Sequence, residues 1–556
     1  MSRKLLKCVN VIIFLSAYSI QAAINVGITG RADKWVIFSS SNLASGQTEN
    51  NSPPVFGKAG QYVISGQQED MSRVIQSHLD AGKRQLFFPA GTYVINKLLV
   101  PANTVLKFAP GAVVKATGKE STIQLKGDNI TIDGATFDLS SLSTSDIVIS
   151  AEKIHNLKFL NLATATWQGL RQKRLDIKRN KPGLIKVDYC IDVEVSGGRF
   201  ADINYAIYSS YSARLVVRDN KAERCYAIIC FRHGSEYLNY YGNWSCNVIY
   251  PCVWWGGDSN DRKKGVTNNS ARICQRGIFP EDEAFDRNTA GTYDISIQNN
   301  FAEYGKTLAW GSKGRNILMN GNIARYMSDL AYDTEGGENV VISNNISINS
   351  KCAGIGCYFY GERILITGNQ LMVLDEGDKV YQGNFIRLHS PGKNNHFGNG
   401  QVTITGNQMI SELKDRTRYI SIESARNIMI TGNTFKNGSI KVSGLADRVT
   451  IFENNFESSL PGFSSILMAY GGKRHVIKGN SLIFDGTSGD VPAISLSGGE
   501  KVKVIVDGNL IENWRVAISG AGSKGCPMGV VIGNRTDGKI TFTEIWKSIL
   551  KDNIKL

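Results

Sequence analysis

Proline is scarce in this 556-residue chain, 12 residues against 57 glycines. That ratio excludes a Pro-rich linker protein and fits a repetitive β architecture with many tight turns. No apolar run is long enough to cross a bilayer as a helix, so a membrane partner is not expected. None of the ten cysteines forms a CxxC pair, which argues against a zinc site. Hydrophobic residues still make up 42% and charged residues 20%, enough for a real core and against disorder.

The first residues carry Arg3, Lys4 and Lys7, then the apolar run Val11 to Leu15, then Ser19-Ile20-Gln21-Ala22-Ala23. This pattern reads as a secretory signal peptide over 1–22, cut near Ala22 or Ala23, and predicts a secreted or periplasmic protein. Cys8 leaves with the leader, so nine cysteines remain. Cys225 and Cys230 recur about one repeat later as Cys246 and Cys252, a spacing that stacks them as apolar core residues or lets neighbours oxidise. Stacking is the reading preferred, because a core this large needs few staples. The net charge is +14, and losing Arg3, Lys4 and Lys7 leaves +11. For an exported chain that charge points to an acidic polysaccharide before nucleic acid.

From about residue 129 onward the chain repeats. A short β-rich run ends in Gly-Asn or Asn-Asn, as in Ile364-Leu365-Ile366-Thr367-Gly368-Asn369 and Ile428-Met429-Ile430-Thr431-Gly432-Asn433. Weaker copies end at Asn220, Asn243, Asn300, Asn322, Asn345, Asn455, Asn480, Asn509 and Asn534. A period in the low twenties means a solenoid, and alternating residues such as Val340, Ile342 and Ile346 mean one built from strands. Asparagine tolerates the left-handed turn, and stacked amides can bond from coil to coil. The expected fold is an all-β, single-stranded right-handed parallel β-helix over 86–540. A segment at 23–85 holds a capping helix over Glu69 to Leu79, with Val74, Ile75 and Leu79 apolar, and 541–556 forms a tail.

That helix leads into Phe88-Pro89-Ala90-Gly91-Thr92-Tyr93 and then Asn-rich coils. The combination, over about residues 65 to 540, resembles the pectate-lyase-like β-helix superfamily, which includes polygalacturonases, carrageenases, phage tailspikes and polysaccharide lyases. The resemblance implies a β-helix that handles sugar polymers.

Aligning the coils on their asparagines gathers Arg232-His233, Trp254-Trp255, Trp310, Asp333-Thr334-Glu335, Tyr358-Phe359-Tyr360 and Arg387-Leu388-His389 on one strand, and leaves it bland at Ser421 and Glu423. Arg232, His233, Trp254, Trp255, Trp310, Tyr358 and Arg387 are candidate substrate-binding residues, with Trp254 or Trp255 and Trp310 as sugar platforms. Two long interruptions, between Asn243 and Asn300 and between Asn369 and Asn407, would flank the groove.

Asp333 and Glu335 are the sharpest pair. Residues i and i+2 on a strand share a face about 6.6 Å apart. Inverting glycosidases hold their carboxyls roughly 6.5–9.5 Å apart. The Asp-Thr-Glu order also resembles the acidic pair of ι-carrageenases and, less closely, the acidic motif of polygalacturonases, although Gly-His-Gly and Arg-Ile-Lys are absent. The alternative chemistry is β-elimination by His389 and Tyr360 with Arg387 neutralising a uronate. No cofactor is expected, except Ca²⁺ for a lyase, with Glu281, Asp282, Glu283 and Asp286 as candidate ligands. A non-catalytic polysaccharide-binding protein and a structural matrix protein are the rivals from other classes; neither requires paired carboxyls.

Overall fold

A computed structural model describes residues 62–556 apart from 65–68, 171–180, 233, 256–291, 313, 359–360, 376–378, 390–398, 424, 470–473, 487–490, 498–501, 522–527 and 543–546. The segment 1–22, read from sequence as a signal peptide, therefore lies outside the described residues, as do His233, Tyr360 and Glu281 to Asp286. The described coils belong to one compact unit, Gly60–Leu556.

Each coil contributes one strand to each of three parallel sheets, as in Ala213–Arg218, Lys221–Glu223 and Ala227–Arg232. The same three positions repeat along a right-handed parallel β-helix, and among the described residues the first sheet has 19 strands. Alternation along each strand decides what faces inward. In the first sheet Leu215, Leu238, Ile295, Ile317, Val340, Ile364 and Val402 stack in register, all buried. Burying each such side chain is worth about 1.5–3 kcal/mol. The helix spans Ser72–Asp80 and turns Ile75 and Leu79 inward, while Val74 is exposed.

The asparagines form a second, polar ladder inside the turn after the first sheet. Asn322 donates from Nδ2 to Asn345 Oδ1 at 2.9 Å and to the Ile297 carbonyl at 2.9 Å. The same pair of bonds recurs from Asn220 to Asn534, ending on Asn553. Asn454 holds the rung assigned to Asn455 by sequence. The left-handed residue before the rung is Glu453, where other coils use Gly, Asn or Asp, so the register there is one residue earlier. Asn243, of the Asn-Trp-Ser triplet, is a buried rung with its amide fully engaged.

Two further expectations move. Pairing begins at Tyr62–Val63 and continues through Lys547–Lys551 and Ile554–Lys555, so the coils extend beyond 86 and 540 at both ends. The cysteines do not stack on one another: Cys230 aligns with Val253, Ile229 with Cys252, and Glu223 with Cys246. Cys230 and Cys252 point to opposite faces of the sheet because their spacing differs from the coil register by one.

Candidate active site on the third sheet

The third-sheet strands Ala227–Arg232, Tyr250–Trp255, Ala309–Ser312, Leu330–Glu335, Ala353–Tyr358 and Asn384–His389 lie side by side. Their outward residues form two rows. One runs Cys230, Val253, Trp310, Asp333, Gly356, Arg387. The other runs Arg232, Trp255, Ser312, Glu335, Tyr358, His389. Arg232, Trp255, Trp310, Asp333, Glu335, Tyr358, Arg387 and His389 are thus brought together, with Tyr358 beside Glu335 and His389 beside Tyr358.

Trp254 is the correction. It lies on the inward row between Phe231 and Gly311 and is 0% exposed. Two consecutive strand residues face opposite sides, and here the first belongs to the core. Trp255 and Trp310 are the outward indoles, both half-buried, with ring centroids 4.9 Å apart at 72°. Trp310 also stacks on Tyr250, 4.8 Å away at 26°. Its Nε1 donates to Glu335 Oε1 at 3.3 Å.

Asp333 is 5% exposed, and its Oδ1 has no hydrogen-bond partner. Burial, with the Glu335 charge next, holds its carboxyl far above the usual carboxylate range. Burial also raises Glu335, but the Trp310 hydrogen bond works against that rise. The two acids thus share a face and differ in environment. At the turn leading into these strands, Lys306 Nζ lies 3.6 Å from Asp329 Oδ2 and 5.3 Å from the Tyr250 ring centre. Asp329 raises both acids and Lys306 lowers both. Sequence reasoning passed over Lys306 and Asp329; they hold matching turn positions one coil apart, each four residues or so before its third-sheet strand centre.

His389 Nδ1 lies 2.6 Å from Glu423 Oε2, so its N–H donates to that carboxylate and Nε2 is left for another partner. Glu423, read as part of a bland strand, is thus a partner of the site. Placing Ser421-Ile422-Glu423 under Arg387-Leu388-His389 was the available signal. The His389 ring meets Tyr358 edge-on at 5.7 Å, and the Arg387 guanidinium lies 5.9 Å from the Tyr358 ring centre. Arg232 lies 5.3 Å from the Tyr208 ring centre and 5.7 Å from that of Trp255. Among the described residues no group of three or more His, Cys, Asp or Glu side chains is arranged to hold a metal ion.

No protein-family model matches the chain, and no curated protein is significantly similar to it. Among solved structures, a family 28 exopolygalacturonase of Yersinia enterocolitica is 12% identical, with 74% of this chain and 77% of that one covered and a TM-score of 0.43. A hyperthermoactive exopolygalacturonase of Thermotoga maritima is 12% identical over 73% and 91%, TM-score 0.36. PfbA, a surface adhesin of Streptococcus pneumoniae, is 14% identical over 83% and 90%, TM-score 0.32. The fold itself is read from the three parallel sheets and their register.

Proposed function

We propose that this chain hydrolyses glycosidic bonds in an acidic polysaccharide, with inversion at the anomeric carbon. The observation that carries the reading is the Asp333–Glu335 pair, two carboxyls on one face of one strand whose surroundings raise them unequally. Their i, i+2 spacing sets the two backbones about 6.6 Å apart, from which the carboxyls can stand on either side of a water molecule. Asp333, kept protonated by burial, gives its proton to the glycosidic oxygen as the bond to the leaving sugar breaks. Glu335, whose anion is held by the Trp310 N–H, takes a proton from the water that bonds to the anomeric carbon. Tyr358 offers ring surface beside Glu335 and Trp255 offers it two coil steps away, and Arg387 supplies positive charge for an acidic substituent. Export through the N-terminal leader would bring the chain to such polymers.

One observation favours a second reading, β-elimination. The His389–Glu423 contact orients an imidazole beside Arg387 and Tyr358, a base next to a cation. Product analysis separates the two. Digestion of a panel of acidic polysaccharides should give saturated products whose newly formed reducing ends appear first as the inverted anomer by NMR. Asp333→Asn and Glu335→Gln should each lose turnover by about 10²–10⁴ while still binding the polymer. Unsaturated products would establish elimination instead, and binding with no turnover on any polymer would leave a binding protein.

A further inference from the structure

We propose that Arg232 forms a distal subsite for an anionic substituent of the polymer, a carboxylate or a sulfate ester, about three sugar residues from the bond that is cut. The distance to the cut rests on the function proposed above; the anion site itself does not.

Several arginines elsewhere on the coils sit against carboxylates. Arg214 meets Asp192 at 2.7 Å, Arg224 meets Asp202 at 3.0 Å, and Arg315 meets Glu338 at 2.9 Å. Arg232 is different. Among the described residues it forms no ion pair with a carboxylate, and its Nε is buried without a hydrogen-bond partner. What surrounds it is aromatic: Tyr208 one coil before at 5.3 Å and Trp255 one coil after at 5.7 Å, ring centre to guanidinium carbon. A side-chain hydrogen bond to Tyr208 engages one donor, but ring faces attract a cation without satisfying its N–H groups, and Nε is left unpartnered. A half-buried guanidinium with an idle N–H is costly, and the cost is relieved when an anion arrives. The planar fork of donors matches the paired oxygens of a carboxylate or sulfate, and the two rings fix its orientation beforehand.

The register gives the distance. Arg232, Trp255, Ser312 and Glu335 are successive members of one outward row, so Arg232 lies three coil steps, about 14 Å, from Glu335. One coil step is close to the advance of one residue in an extended sugar chain. Arg387 lies on the far side of the acid pair, two steps from Asp333. A polymer lying along the rows would meet a cation on each side of the cut. A substrate bearing an acidic group at only one of these places would be held less well.

The test uses the full chain in affinity electrophoresis through gels containing polygalacturonate, dextran sulfate or neutral dextran. Arg232→Gln should weaken retention on one of the two charged polymers by about tenfold or more, the scale of a lost charge-assisted pair. Loss on polygalacturonate alone identifies the carboxylate, and loss on dextran sulfate alone identifies the sulfate. Arg232→Lys, which keeps the charge but not the fork, should recover only part of the loss. Retention of Arg232→Gln equal to wild type on both charged polymers overturns the proposal. Should that variant fail to fold, the wild type still decides: sodium sulfate or acetate should change the emission assigned to Trp255 by difference from Trp255→Phe, and no change overturns it. The two readings fail separately. If Asp333→Asn is fully active, the acid pair is wrong while a binding defect in Arg232→Gln stands. If Asp333→Asn is inactive and Arg232→Gln binds normally, only the subsite is wrong.

Discussion

The indole of Trp310 donates its N–H to Glu335 Oε1 at 3.3 Å across one coil step. The ring is fixed by Tyr250 on one side and Trp255 on the other, so the donor is held in place. Burial raises both acids of the pair, and this one bond opposes the rise at Glu335 only. Trp310, expected from sequence to be a sugar platform, thus adds to the difference in proton affinity that the burial of Asp333 and the Glu335 charge already create. Two adjacent carboxyls already titrate apart because one anion raises its neighbour, and a donor on Glu335 decides which of them is the anion.

Trp310→Phe keeps the ring contacts and removes the donor. The Glu335 anion is then less stabilised and its pKa rises further. In the proposed mechanism Glu335 must be ionised, so the rising limb of kcat/KM against pH should move to higher pH. A merely structural role for the indole would lower activity at every pH and leave that limb where it is. An unmoved limb in a folded variant rules out the positioning role.

Asp333 should limit stability at neutral pH. Its folded pKa lies well above the unfolded carboxylate value, so the folded state prefers the protonated form. Below the unfolded pKa, near 3.9, the acid is protonated in both states and costs little. As pH rises from there toward the folded pKa, the unfolded chain gives up its proton and the folded chain does not, so stability falls. Asp333→Asn mimics the protonated acid and removes that penalty. Its melting temperature should exceed that of wild type at pH 7 and match it near pH 3.5. Equal or lower melting at pH 7 would show that Asp333 is not held protonated.

Gly311 is the narrowest point beneath the site. A Cβ there would stand 2.2 Å from Trp254 Cδ2 and 2.3 Å from the Trp254 carbonyl oxygen. The backbone oxygen cannot swing away, so the strand itself must shift. Gly311→Ala should cost about 1–3 kcal/mol or more, as overpacking does. Because Trp310 and Ser312 flank this glycine on the outward face, activity should fall with stability. Urea unfolding with unchanged midpoint would contradict the packing described.

The coil period, the inward β-branched rows and the asparagine ladder were all legible in the sequence, because each is a local pattern repeated at a fixed interval. So was the company kept by Asp333, Glu335, Tyr358, Arg387 and His389. What sequence could not fix was one-residue register. Trp254 and Trp255 are equivalent by composition, and only the pairing of Trp254 with Gly311 sends the first inward. Asn454 and Asn455 are equally good turn residues, and the left-handed Glu453 decides between them. The Trp310–Glu335 and His389–Glu423 bonds were hidden for a related reason: they join residues 25 and 34 apart, across coils of unequal length.

The contact between His389 and Glu423 gives the most direct comparison of the two chemistries. A carboxylate 2.6 Å from Nδ1 fixes the ring and its tautomer, with the N–H on Nδ1 and the lone pair on Nε2. If elimination is the reaction, Nε2 takes the proton beside the uronate carboxyl while Arg387 neutralises that carboxyl. His389→Ala should then lose turnover by about 10²–10⁴, as removal of a general base does. Glu423→Gln should lose part of it, and products should absorb as unsaturated sugars. If hydrolysis by Asp333 and Glu335 is the reaction, the same imidazole is a wall of the groove. His389→Ala should then raise KM, through lost contact with Tyr358 and the sugar, and leave kcat nearly unchanged. The hydrolytic reading expects the second pattern, together with saturated products from every variant that retains activity. A collapse of kcat in His389→Ala alongside an active Glu335→Gln would transfer the chemistry from the acid pair to the histidine.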